Sequence, residues 1–139
     1  MTNVEIVKEK LYETNASLVV LYANGECKAY YQNRIKDIKE ILQQDKTALQ
    51  GAVIADKVIG KVAGSILTVA GVKEIYADVM SQYALPVLEE NHVKYEYKNL
   101  TDYVQNNDKT GMCPMENKYK EEKDIHKIYD EMLSMGANN

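Results

Sequence analysis

Between Ala52 and Ala70 the chain carries charge only at Asp56, Lys57 and Lys61, and almost everything else there is apolar or small. A stretch this long with no polar side to turn toward water has to lie inside the fold, with other structure packed around it. Val58, Ile59, Val62, Ile66, Leu67 and Val69 fall around most of a helical circumference, which predicts a buried helix over 52–70. Ala55, Gly60, Ala63 and Gly64 give that helix a small-residue face. Each glycine costs ~1 kcal/mol relative to alanine in a helix, a cost that close approach to a sheet would offset. Asp56 sits where a first-turn acid favours the helix dipole, and Gly71 suits a left-handed stop.

The flanking segments supply the partners. Val4, Val7 and Leu11 recur at helical spacing, with Asn3 or Thr2 as the cap. Ser17 to Tyr22 and Glu26 to Tyr31 read as strands joined at Asn24-Gly25, a pair that favours the type I′ hairpin turn. Ile35, Ile38, Ile41 and Leu42 mark one or two helical turns ending near Gln44. Beyond Gly71 come a strand over Glu74–Val79, a helix over Ser81–Asn91 interrupted near Pro86, and an alternating strand over Val93–Tyr97. Strand, helix and strand at that spacing imply a parallel crossover. Leu100 to Gln105 reads as a turn of helix, and Asn117 to Met135 as one closing helix. The expected architecture is α/β: a single domain over 1–139, a three-layer α-β-α sandwich with a mixed sheet, antiparallel at its first two strands and parallel beyond.

Composition narrows the function classes. A formal charge of −4 and a single arginine, Arg34, argue against a general grip on nucleic acid. Lys118, Lys120 and Lys123 alternate with Glu121 and Glu122, the pattern of a solvated helix face. No apolar run approaches the ~18 residues of a membrane span, and no leader pattern opens the chain, so a cytoplasmic protein is expected. The two cysteines, Cys27 and Cys113, form no C-x-x-C pair and fit reduced thiols. All eleven aromatic residues are tyrosines, so aliphatic residues and methionine must fill the core.

Two places invite chemistry. Ala55 to Val62 reads A-x-x-x-x-G-K-V, a near miss to the P-loop that lacks its first glycine and its magnesium-binding hydroxyl, so a Walker A site is rejected. A helix start at Asp56 and Lys57 would still offer backbone N–H groups to an anion; the competing reading is a capped buried helix with solvent-facing lysines. The second place is Gly111-Met112-Cys113-Pro114-Met115-Glu116, a loop that sets a thiol, a proline and a carboxylate before a charged helix. Cys113 reads as a nucleophile, a redox thiol or an apolar filler. A nucleophile needs a base, and His92 and His126 read more readily as ordinary surface histidines. Zinc is not expected, because the chain has no H-x-E, H-E-x-x-H or C-x-x-C. Asp78, near the end of a parallel strand, lies where α/β sheets bind ligands.

The order of elements, the hairpin at Asn24-Gly25, the Ala55-Asp56-Lys57-Val58-Ile59-Gly60-Lys61 segment and the Gly111–Glu116 loop together resemble a bacterial family of unknown function with a cytidine-deaminase-like fold. The resemblance spans nearly the whole chain. Zinc deaminases of the wider superfamily carry H-x-E at the start of the second core helix and P-C-x-x-C after the third strand. In this sequence those places fall at Asp56-Lys57-Val58 and near Asp78 to Ala84, without zinc ligands. The resemblance therefore implies no cofactor and no zinc-dependent deamination. It implies a surviving pocket for a nucleotide-like small molecule, lined by Asp56 and Lys57; Asp78 joins the candidate ligand-binding residues from its place at a strand end, and Cys113 and Glu116 join them from position, if the last loop folds over the pocket. The alternatives are a non-zinc enzyme or redox-responsive protein using Cys113, and a structural, partner-binding homo-oligomer.

Overall fold

The computed structural model describes residues 1–32 and 35–135; Arg34 lies outside them. Helix α1 (Asn3–Thr14) opens on a capping box, in which Thr2 and Glu5 each satisfy the other's backbone N–H, and ends at Asn15 in the left-handed region. Strands β1 (Leu18–Leu21) and β2 (Cys27–Tyr30) form the hairpin, and α2 (Lys36–Gln44) follows. The next elements are β3 (Val53–Ile59), α3 (Lys61–Val69), β4 (Glu74–Ser81), α4 (Leu85–Glu90) and β5 (Lys94–Thr101). Two short helices, α5 (Pro114–Tyr119) and α6 (Ile125–Ser134), close the described chain.

One five-stranded mixed sheet, in the order β2-β1-β3-β4-β5, organises the molecule. β1 is antiparallel to both β2 and β3, whereas β3, β4 and β5 run parallel. Helix α1 covers one face through Val7 and Leu11, which pack on Val19, Val53, Ala55 and Tyr76. The other face carries the larger core, where Ile54, Ile59 and Ile75 meet Ile38 and Leu42 of α2, Ile66 and Leu67 of α3, and Ile128 and Met132 of α6. Among the described residues no helix is long and apolar enough to cross a membrane.

The apolar run is where sequence and structure part. The single helix expected over 52–70 is instead a central strand followed, at Gly60, by a shorter helix. Val53, Ile54 and Ala55 are buried on both faces of the sheet, and such a strand reads as a continuous apolar run that periodicity cannot tell from a buried helix. The β-branched pairs Val53-Ile54 and Val58-Ile59 were the available signal. Asp56 and Lys57 are therefore strand residues and open no helix.

Smaller differences have equally local causes. The hairpin turn is not type I′: only Gly25 is left-handed, its N–H donates to the Tyr22 carbonyl, and the Tyr22 N–H donates to Glu26, the three-residue loop with a glycine bulge. Pro86 stands in the first turn of α4, where its missing N–H costs nothing, and interrupts no helix. The segment after Leu100 continues β5 to Thr101, and Gln105 then bridges Met112. The closing helix is split because Asp124 caps α6, its carboxylate accepting from the N–H groups of His126 and Lys127. Gly71 is left-handed, as its position after α3 requires.

Candidate functional site

Strand β3 ends at Ile59, immediately before α3, and two buried carboxyl groups, Asp56 on the strand and Glu116 against the start of the helix, lie along this stretch. Asp56 of β3 is only 6% exposed. Its carboxylate accepts from the Val58 N–H at 3.2 Å. Burial pushes the carboxyl up to about 8, against the backbone N–H groups of Val58 and Lys57, and Asp37 adds repulsion. Asp37, in the first turn of α2, is buried too and accepts from the Gln32 N–H at 3.0 Å and its side-chain amide at 2.7 Å. The same amide donates to Glu40 at 2.8 Å.

A second buried carboxylate closes the start of α3. Glu116 is 2% exposed and accepts the Lys61 N–H at 2.7 Å and the Val104 N–H at 2.5 Å. It acts as an internal anion at that helix terminus, where backbone N–H groups and the helix dipole favour negative charge. The cysteine-proline segment delivers it. Cys113 is the N-cap of α5, donating its N–H to Val104 at 2.7 Å and accepting from Asn117, with Pro114 as the first helical residue. The Cys113 thiol is free and half-buried. Beside Glu116, Lys61 is pulled below its ordinary range by burial, which the carboxylates of Glu122, Glu90 and Glu116 oppose.

Gly60 is required by this closure. A Cβ there would stand 2.5 Å from Val104 Cγ2 and 2.7 Å from Glu116 Oε1. Gly60→Ala is accordingly expected to lower stability by about 1–3 kcal/mol, the usual range for overpacking a filled site, in a urea melt. Stability within about 0.5 kcal/mol of wild type, the range of a neutral surface change, would mean that the start of α3 is looser than described.

The remaining expected residues lie elsewhere. Lys57 reaches the end of α1, donating to Asn15 Oδ1 at 2.9 Å. Asp78 accepts from the Tyr12 hydroxyl at 2.6 Å, and Tyr12 shares a further hydrogen bond with Tyr76, all on the α1 face. Thus Glu116 reaches the start of α3 from the helix that Cys113 caps, Asp56 lies within electrostatic range of Asp37, and Lys57 and Asp78 bond other partners on the side of α1. No three His, Cys, Asp or Glu side chains converge as a metal site among the described residues.

One hollow lies beside Asp37, and a larger one of about 480 Å³ lies between α5 and α6. A groove of about 330 Å³ runs between the hairpin and α2, lined by Tyr22, Glu26, Lys28, Tyr30, Asp37, Glu40 and Asp45, among others. The Tyr22 and Tyr30 hydroxyls are hydrogen-bonded to each other, and burial raises the Tyr22 phenol further above its ordinary value. Among the described residues four carboxylates and one lysine line this groove, whereas the larger hollow between α5 and α6 is charge-balanced by Lys118, Lys127, Glu122 and Glu131. Sequence reading passed over Tyr22, Tyr30, Asp37 and Glu40. The signal lay in two tyrosines near the ends of one hairpin and two acids three apart on one helix.

Comparison with known proteins leaves function open. The family model described as a domain of unknown function, DUF1893, matches residues 6–134. The crystal structure of the DUF1893 protein TM1506 from Thermotoga maritima superposes with a TM-score of 0.85 at 26% identity, over 96% of this chain and 90% of that one. No curated protein matches the sequence. By the extent of the family match, corroborated by that likeness, the chain belongs to the DUF1893 family.

Proposed function

We propose that this chain is a small-molecule-binding domain that keeps the layout of a cytidine deaminase without its zinc chemistry. The strand order and the arrangement of helices support the layout. With β3 recognised as a strand, the places of the two deaminase motifs move: the second helix opens at Lys36-Asp37, and the segment after the third strand is Gly60-Lys61-Val62-Ala63. Neither carries a zinc ligand set of the H-x-E or P-C-x-x-C kind. The residues present do not fit the metal, since the start of α3 is filled by the Glu116 carboxylate and offers no thiolate or imidazole.

The observation that carries the reading is the groove over Asp37, at the edge of that same region. Its size falls within the ~300–1,000 Å³ of small-ligand sites. Tyrosine rings offer flat apolar surface, and carboxylates that still have free lone pairs accept from amino and hydroxyl groups. The four acids among the described lining residues disfavour a phosphate there. The ligand is therefore nucleoside-like rather than nucleotide-like: an amine-bearing ring on Tyr22 and Tyr30, with hydroxyl or amino donors reaching Asp37 and Glu40. Thermal shift tests this. Nucleosides at about 1 mM are expected to raise the melting temperature by several degrees, their 5′-phosphates to do less, and Glu40→Gln to weaken the response. Equal stabilisation by the phosphates, or none by any nucleoside, would overturn the reading.

A further inference from the structure

The outer side of β5 ends the sheet, and among the described residues no strand covers it. The strand is eight residues long and mostly exposed. Such an edge presents a row of backbone N–H and C=O groups that can accept another strand. Its side chains divide between the faces. Glu96 and Lys98 lie toward α1, where they meet Lys8 and Tyr12. Tyr95 and Tyr97 stack on each other on the opposite face, with centroids 6.3 Å apart and planes 8° from parallel.

We propose that β5 pairs antiparallel with β5 of a second copy of this chain, in the register that sets Tyr97 opposite Tyr97. Charge selects that register. About this centre Glu96 stands opposite Lys98 of the second copy, and Lys98 opposite its Glu96, so one contact is made twice, as a two-fold interface requires. Tyr95 then faces Asn99, and Lys94 faces Leu100, which is 47% exposed in the single chain. The two tyrosine stacks join into one row on the face away from α1. A centre on Glu96 would set Lys94 against Lys98, a centre on Lys98 would set lysine on lysine, and in-register parallel pairing would set every charge against its like. A centre on Tyr95 crosses Lys94 with Glu96 but pairs only residues 94–96 within β5. Opposite charges directly across a strand pair are stabilising, and like charges are destabilising. The Lys8–Glu96 contact, 3.3 Å long and about half exposed on both sides, does not consume Glu96.

Sedimentation over a protein concentration series tests the pairing on the full chain. Wild type is expected to show a reversible monomer–dimer equilibrium. K98E and E96K should each weaken it at least about tenfold, and the double swap E96K/K98E should restore it, because the cross-strand charges are again opposite. Circular dichroism and melting temperature establish that each variant is folded. Y97C in a C27S/C113S background should form a disulfide-linked dimer on mild oxidation, since directly opposed cross-strand Cβ atoms lie near disulfide range. A wild type that stays monomeric, folded single swaps that dimerise unchanged, a double swap without recovery, or a Y97C chain that does not cross-link would each overturn the proposal.

Discussion

Asp56→Asn should make the protein more stable at pH 8.5 than wild type, by on the order of 3–5 kcal/mol, and should leave stability near pH 4 almost unchanged. The carboxyl is buried in the larger core, and desolvation raises it to about 8, whereas an aspartate in an unfolded chain titrates near ~3.9. Between those two values the native chain holds a proton that the unfolded chain has released. Unfolding therefore releases a proton, and stability falls as pH rises through that window, most steeply at ~1.4 kcal/mol per pH unit. Asparagine keeps the acceptor oxygen for the Val58 N–H and carries no charge to desolvate, so the fall in stability that Asp56 causes should be missing from its profile over the same range. Urea melts from pH 4 to 9 read the effect directly. Parallel profiles for the two proteins would show that Asp56 is ionised in the native state across the whole range.

The second large effect concerns Glu116. Glu116→Ala removes the acceptor from two backbone N–H groups, those of Lys61 and Val104, at a position where water has little access. Each orphaned donor costs about 1–3 kcal/mol, and the lost packing adds to it, so a loss of about 3–5 kcal/mol is expected. For a domain of this size that lowers the melting temperature by roughly 10 °C or more. Glu116→Gln should fall between, because its one carbonyl oxygen can serve one N–H while its amide confronts the other. A loss below about 1 kcal/mol for the alanine variant, the scale of an ordinary surface change, would show that α5 is not fastened to α3 by this side chain.

These two carboxylates also mark what a sequence can and cannot disclose. Glu116 was legible as a residue of interest, since it follows a cysteine-proline step in a polar segment. Its partner was not, because Lys61 lies 55 residues earlier and no local pattern connects them. Asp56 was singled out for a helix start that does not exist. Its importance comes from being an acid in a strand buried on both faces, and that burial is created by α1 on one side and α2 with α3 on the other. Periodicity identified α1 and α2, and the hairpin and the parallel crossover from β4 to β5 were readable from turn chemistry and alternation. It failed where a central strand and its following helix are both apolar, since neither then shows a period. The groove was invisible for a different reason: Tyr22, Tyr30, Asp37 and Glu40 are unremarkable singly, and only the closure of the hairpin against α2 makes them neighbours.

In the proposed function a nucleoside-like ligand enters the groove between the hairpin and α2. Amide chemical shifts of the isotopically labelled protein, followed during titration with an uncharged nucleoside, test it most directly. Saturable shifts are expected at Tyr22–Tyr30 and along α2 from Asp37 to Asp45, with the amides of Lys61 and Val104 unmoved because Glu116 holds them. Shifts centred on Lys61 and Val104, or no saturable shifts at all, would contradict it.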